Sequence, residues 1–418
     1  MNIKTGSLVK ITLPTESIEG RLITEDPFTI KLSSGYNIIL EKKDIKGIKV
    51  LEAPKDKPII HPQRKPKTGK KITILHTGGT IASKVDYTTG AVIAQFSPED
   101  IIGLFPEIQD LAEISSRLIS NIQSEMMRFS HYNQIAEAAA EEIEKGAEGI
   151  IITHGTDTLH YTAAALTFIL ENPPIPIILV GSQRSSDRPS SDAKTNLISA
   201  ITFATNTEWT GVAICMHETT EDTSCLILPG TKTRKMHTTR RDAFKPINID
   251  PIARITGNKI EQLTLQTGSQ GAFTLKKINE NLKVGLFKSR THMFADELLF
   301  YEKYDGLIIE GFALGHMPTE KIDKHTDENI KIYDAIKKLA KKMPVAFASQ
   351  CIYGRVNMNV YTPGRELISA GVIGNQCDMT PETAYIKLAW LLSHNKKDKI
   401  KELFEKNLRE EISERSVT

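Results

Sequence analysis

Two threonine-rich turns carry the residues best suited to chemistry. Residues 72–84 read I-T-I-L-H-T-G-G-T-I-A-S-K, and residues 149–162 read G-I-I-I-T-H-G-T-D-T-L-H-Y-T. In each, an apolar run of the kind that makes a buried parallel strand breaks into glycine and threonine. Glycine there admits a tight turn and lets backbone approach a ligand closely. The hydroxyls and the Asp157 carboxylate then stand at the carboxyl ends of strands, where open α/β sheets bind ligands. Hydroxyls and a carboxylate in one crevice suit hydrolytic chemistry, which needs a nucleophile, a base and donors for an oxyanion. The sequence holds no G-x-S-x-G elbow, no H-E-x-x-H pair and no Walker A loop, since Gly230-Thr231-Lys232-Thr233 lacks the Gly-Lys step. Threonine chemistry is the sharpest option left, and it requires companions that activate a poor nucleophile.

The elements that must position these residues follow in order. Residues 1–52 alternate apolar and polar in short runs (S-L-V-K-I-T-L, I-E-G-R-L-I, F-T-I-K-L, Y-N-I-I-L) punctuated by Pro14, Gly20, Pro27 and Gly35. Ser34-Gly35 is a hairpin signal, and the whole predicts a small SH3-like or Tudor-like β-barrel as an accessory domain. Residues 53–70, with Pro54, Pro58, Pro62 and Pro66 among lysines, read as an extended linker. From residue 71 strand and helix alternate. Ser97-Pro98-Glu99-Asp100 starts a helix, and residues 131–145 form a helix stopped by Gly146. A strand at 149–153, a helix from Asp157 to Leu170, strand 175–180, a helix near 192–205 and strand 211–216 complete a doubly wound sheet with a parallel core over 71–255. A polar stretch at 256–281 reads as the interdomain linker. The second α/β domain, 282–418, has strands at 283–287, 305–311 and 345–349, then helices near 381–393 and 397–412.

At 418 residues the chain is long enough for two or three cores. Its 53 basic and 51 acidic residues leave a net charge of +2, so nothing at this level announces a nucleic-acid-binding surface. Cys215, Cys225, Cys351 and Cys377 are scattered without C-x-x-C pairs, and read as buried small hydrophobes in a reducing compartment rather than metal ligands. The N-terminal residues lack a signal-peptide core and no run reaches the length of a membrane span, so a cytoplasmic location is expected.

Taken together, T-G-G-T-I-A and H-G-T-D-T-L resemble both signature motifs of the L-asparaginase/glutaminase family. The resemblance implies the family's two-domain α/β fold. It places Thr80 at the nucleophile position, with Gly79 beside it, and Tyr87 at the position of a lid tyrosine that helps to activate the nucleophile. Thr156 and Asp157 form a second cluster with Lys235, which the motif K-M-H-T-T-R-R-D-A-F matches to the family's catalytic lysine. A desolvated lysine beside a carboxylate acts as base or proton relay. The division of labour between Thr80 and Thr156 stays open, with Thr80 favoured as the attacking group. Asp157 is the natural partner for a substrate α-ammonium, and Gly79, Ser124 and Gly155 are implied at the substrate. His154 is expected to be structural; His160 and His237 receive no role.

The N-terminal module, G-S-Q-R-S-S-D-R-P-S-S-D-A at 181–193, N-V-Y-T-P-G-R-E-L at 359–367 and D-M-T-P-E-T-A at 378–384 resemble the tRNA-dependent amidotransferase branch of that family. That branch implies hydrolysis of glutamine, with ammonia passed to a partner subunit that binds Glu-tRNA(Gln) and uses ATP and Mg. No cofactor is expected in this chain, little direct tRNA contact, and a homodimer within a heterotetramer. A stand-alone asparaginase and a non-catalytic scaffold are the alternatives. Activity without a partner would mark the first, and indifference to loss of Thr80 or Lys235 the second.

Overall fold

The computed structural model describes residues 3, 6–32, 37–53, 69–78, 83–85, 92–94, 105–185, 190–264 and 271–415. The N-terminal module is a five-stranded antiparallel sheet in which Leu8–Thr12 lies between Ser17–Glu25 and Gly47–Glu52, with Phe28–Leu32 and Asn37–Ile39 beyond the former. Alternate residues Val9, Ile11, Leu22, Phe28 and Ile30 bury a core of their own. A register shift between Leu22 and Thr24 adds the local bend that a sheet needs to curl. Gly47–Glu52 is a fifth strand that the four expected runs did not include. Ser34-Gly35, Ser97-Pro98 and linker residues 54–68 lie outside the described residues.

The main sheet has eight strands, in the order Lys259–Gln262, Ala253–Thr256, Cys225–Pro229, Gly211–His217, Pro176–Val180, Gly149–Thr153, Lys71–His76, Glu113–Leu118. The five from Gly211–His217 to Glu113–Leu118 run parallel, and the other three continue the sheet antiparallel. The range expected as an interdomain linker therefore supplies the sheet's edge strand, Lys259–Gln262. Helices cover both faces. Ile150 and Ile152 pack with Phe129–Glu144 and Leu159–Ile169, whereas Ile151 faces the core of Ala193–Asn206. A strand buried on both sides has no polar alternation, which is why Gly149–Thr153 reads as a solid apolar run.

In the second domain three parallel strands, Val284–Lys288, Gly306–Gly311 and Val345–Ser349, lie side by side. Helix Asp327–Lys342 packs on one face and Pro381–His394 on the other. Helix Pro381–His394 starts where Thr380 Oγ1 accepts the Thr383 amide and proline takes the first turn. Its far side packs against Leu159–Ile169, with Phe168 and Trp390 rings 5.6 Å apart, so one apolar core runs through both domains. The helix expected over 397–412 ends at Glu405, and the following residues run as an irregular tail over the junction between the domains. Cys215, Cys225 and Cys377 are buried and Cys351 is exposed.

Candidate active site

Lys71–His76 and Gly149–Thr153 are neighbours in register, with His76 opposite Thr153, so both threonine-rich turns leave the same edge of the sheet. Their ends are stitched together. Thr77 donates its N–H (3.1 Å) and its hydroxyl (2.9 Å) to the Thr153 carbonyl, and His76 Nδ1 lies 2.9 Å from Thr153 Oγ1. Gly78 has a φ of +103°, and a Cβ there would stand 2.5 Å from the Ile122 carbonyl oxygen. At Gly155 a Cβ would meet Ser124 Cβ and Oγ at 2.8 Å. Glycine at both points lets the segment around Ile122–Ser124 close against the two turns. Buried Ser124 is held there by Thr158, whose hydroxyl donates to the Ser124 carbonyl at 2.6 Å and whose amide lies 3.4 Å from Ser124 Oγ. Asp157 and Thr158 thus belong to the turn, and the helix begins at Leu159 rather than at Asp157.

Lys235 comes from 79 residues further along the chain. It ends a three-residue strand, Thr233–Lys235, paired antiparallel with Phe244–Pro246. Its Nζ donates to Thr156 Oγ1 at 2.9 Å and to Asp157 Oδ1 at 2.8 Å. The lysine side chain is only 12% exposed, while that of Asp157 is 65% exposed. Thr156 is buried, and with the ammonium on one of its lone pairs its own hydroxyl proton is free for another acceptor. In this geometry the ammonium can hand a proton on, and once it has given one up the neutral amine can take the Thr156 proton over the same hydrogen bond. The carboxylate beside it stays open to solvent and to a cationic ligand.

His154 and His160 stay neutral. His154 is fully buried and donates Nδ1–H to the Gly155 carbonyl at 2.7 Å, while Nε2 accepts the Thr162 hydroxyl at 2.8 Å. Burial pulls its pKa down to about 4, and it fixes the turn as a structural residue. His160 packs against Tyr161 and Phe244, and burial together with the charges of Arg234 and Lys235 lowers it to about 3. His237 accepts the amides of Thr239 and Arg240, both at 3.0 Å, which makes it a turn residue. Gly79, Thr80 and Tyr87 lie outside the described residues. The structure therefore brings together Thr156, Asp157, Lys235, Gly155 and Ser124. Sequence reasoning missed Lys232 and Arg234, which precede Lys235 and bind the second domain.

Residues 71–266 match the family described as Asparaginase, N-terminal, and residues 283–404 match the Glutaminase/Asparaginase C-terminal domain. The chain belongs to the asparaginase/glutaminase family. Among its relatives, a Glutamyl-tRNA(Gln) amidotransferase subunit from Methanococcus maripaludis strain C5 is 45% identical over 427 residues, covering 98% of each chain. The corresponding Glutamyl-tRNA(Gln) amidotransferase subunit from Pyrococcus furiosus is 45% identical over 393 residues, covering 91% of this chain and 85% of that one. In fold, the chain is similar to the thermostable L-asparaginase from Thermococcus kodakarensis, with a TM-score of 0.73 and 31% identity over 82% of this chain and 99% of that one. L-asparaginase I from Vibrio cholerae gives a TM-score of 0.70 at 27% identity, covering 83% of this chain and all of the other. The asparaginases are thus matched almost entire, with part of this chain left over. A match over 98% of the chain, by contrast, must include the N-terminal module. No helix among the described residues is long and apolar enough to cross a membrane.

Proposed function

We propose that this chain is the glutaminase subunit of a tRNA-dependent amidotransferase, which releases ammonia from glutamine so that Glu-tRNA(Gln) becomes Gln-tRNA(Gln). The observation that carries this is near full-length similarity, module included, to Glutamyl-tRNA(Gln) amidotransferase subunits. The contact of Lys235 with Thr156 and Asp157 supports amide hydrolysis as the reaction of the chain itself.

In this reading Asp157 takes the α-ammonium of glutamine, with Ser124 and Gly155 at the substrate's carboxylate end. A threonine oxygen attacks the side-chain amide carbon, and its proton passes by way of a base to the departing nitrogen. Thr80 is the favoured nucleophile, assisted by Tyr87, while Thr156 and Lys235 move the proton. The C–N bond breaks, ammonia leaves, and water then cleaves the acyl ester to give glutamate and free threonine. ATP and Mg serve the partner subunit, which also holds most of the tRNA. This chain supplies a homodimer within a cytoplasmic heterotetramer.

The similarity of the core to whole L-asparaginases supports a second reading, a stand-alone asparaginase. One experiment separates them: ammonia release from glutamine and asparagine by the chain alone, with the partner subunit, and with Glu-tRNA(Gln), ATP and Mg added. Release from glutamine that rises with each addition is expected. Brisk asparagine hydrolysis indifferent to both would replace the proposal with the second reading.

A further inference from the structure

The segment that carries Lys235 is gripped from the second domain. After strand Cys225–Pro229 the chain squeezes past Leu159–Ile169 at Gly230, where a Cβ would lie 2.6 Å from Thr167 Oγ1. The Thr231 carbonyl accepts the Thr383 hydroxyl at 2.7 Å, and the Thr231 hydroxyl donates to the Arg409 carbonyl at 3.2 Å. Lys232, 1% exposed, donates to Asp378 Oδ2 at 2.7 Å and to Ser413 Oγ at 2.9 Å. The other Asp378 oxygen accepts the Ser413 amide at 3.0 Å. Arg234 pairs with Glu382 at 3.0 Å, at the start of helix Pro381–His394. Within strand Thr233–Lys235 side chains alternate, so Arg234 reaches the second domain while Lys235 reaches Thr156; Lys232, in the turn just before the strand, reaches Asp378.

The tail that supplies Ser413 is itself locked at several points. Arg409 pairs with Glu171 of the first domain, and Arg355 donates to the Ser413 carbonyl at 3.1 Å. Lys387 and Glu411 form a fully buried ion pair, and Lys387 also donates to the carbonyls of Phe404 and Lys406. Buried pairs of this kind add little to stability over apolar residues of equal volume; their better-attested use is to fix register. Register matters here. The strand Thr233–Lys235 is three residues long, and a slip of about 1 Å would take Lys235 out of hydrogen-bond range of Thr156.

We propose that Lys232 and Arg234 are positioning residues for Lys235, and that Asp378, Glu382 and Ser413 complete a clamp through which the second domain and the tail set the amidase geometry. This rests on the reading of Lys235 as part of the amidase site.

The test measures ammonia release from glutamine by the full chain with its partner subunit. The paired variant Lys232→Met/Asp378→Leu removes both buried charges and leaves no orphaned ion. We expect its kcat to fall about 10- to 100-fold with KM within twofold, in a chain that melts as one folded species. Arg234→Met is expected to lower kcat in the same way, and Arg234→Lys, which keeps a cation at Glu382, to recover most of it. Wild-type kcat in a folded paired variant overturns the proposal. So does a loss that appears only in KM, or equal loss in Arg234→Met and Arg234→Lys. If the paired variant does not fold, Ser413→Ala and the two Arg234 variants decide by the same criteria. A Lys235→Met control that keeps wild-type release would instead overturn the site reading itself.

Discussion

Replacing Lys235 by methionine keeps most of the buried stem and removes the ammonium. That ammonium makes two hydrogen bonds, 2.9 Å to Thr156 and 2.8 Å to Asp157. The partner carboxylate is 65% exposed, so the ion pair is screened and its loss should cost stability no more than about 1 kcal/mol. A thermal midpoint within about 3 °C of wild type is therefore expected. The kinetic cost should be much larger. Proton transfer by a positioned side chain contributes roughly 10²- to 10⁴-fold, or about 3–5 kcal/mol of barrier at 1.36 kcal/mol per tenfold. Loss of the lysine also frees the Asp157 carboxylate for the substrate's α-ammonium, so KM should hold or fall while kcat drops. Initial rates of ammonia release over a range of glutamine concentrations, together with a melting curve, measure both. A kcat within tenfold of wild type would refute the argument, as would a loss confined to KM or one that tracks unfolding.

Three further outcomes are expected. His154 is neutral in the folded chain, with its pKa lowered from 6.5 to about 4, so the fold binds fewer protons there than the unfolded chain does. Its contribution to stability is complete above pH 6.5 and is lost as pH falls towards 4, at up to 1.36 kcal/mol per unit, about 3 kcal/mol in all. Urea unfolding at several pH values should show a slope over that window that becomes shallower in His154→Gln, with His160 supplying the remainder; an unchanged slope would contradict this. Gly155→Ala forces a methyl to 2.8 Å from Ser124, and should destabilise by about 1–3 kcal/mol and lower activity, whereas wild-type behaviour in urea and assay would show the turn to be slack. A chain starting at Gly69 should melt within about 3 °C of the full chain, because the module's core residues Val9, Ile11, Leu22, Phe28 and Ile30 belong to a cluster separate from the two-domain core. Failure of the shortened chain to fold would count against that independence.

What was legible in the sequence was local, and what was not depended on distant contacts. Ile150–Ile152 announces a doubly covered strand because every position is apolar, and the helix expected near 381–393 is found as Pro381–His394. The helix expected to 412 failed for the opposite reason. Leu408 and Ile412 keep an apolar pattern because they pack on the main core, yet Glu411 is buried against Lys387 and takes the amides of Leu408 and Arg409. Those amides, satisfied by a carboxylate, have no need of a further helical turn. The site divides along the same line. Thr156, Asp157 and Gly155 are visible as a turn at a strand end, but Lys235 sits in R-K-M-H-T-T-R-R, which by residue type alone is a solvated basic run. The run turns inwards where it pairs with Phe244–Pro246 and where Lys232 and Arg234 meet Asp378 and Glu382. A family motif can mark the lysine, but Asp378 and Glu382, which hold Lys232 and Arg234, lie 146 positions and more downstream of those two residues, beyond the reach of any local pattern.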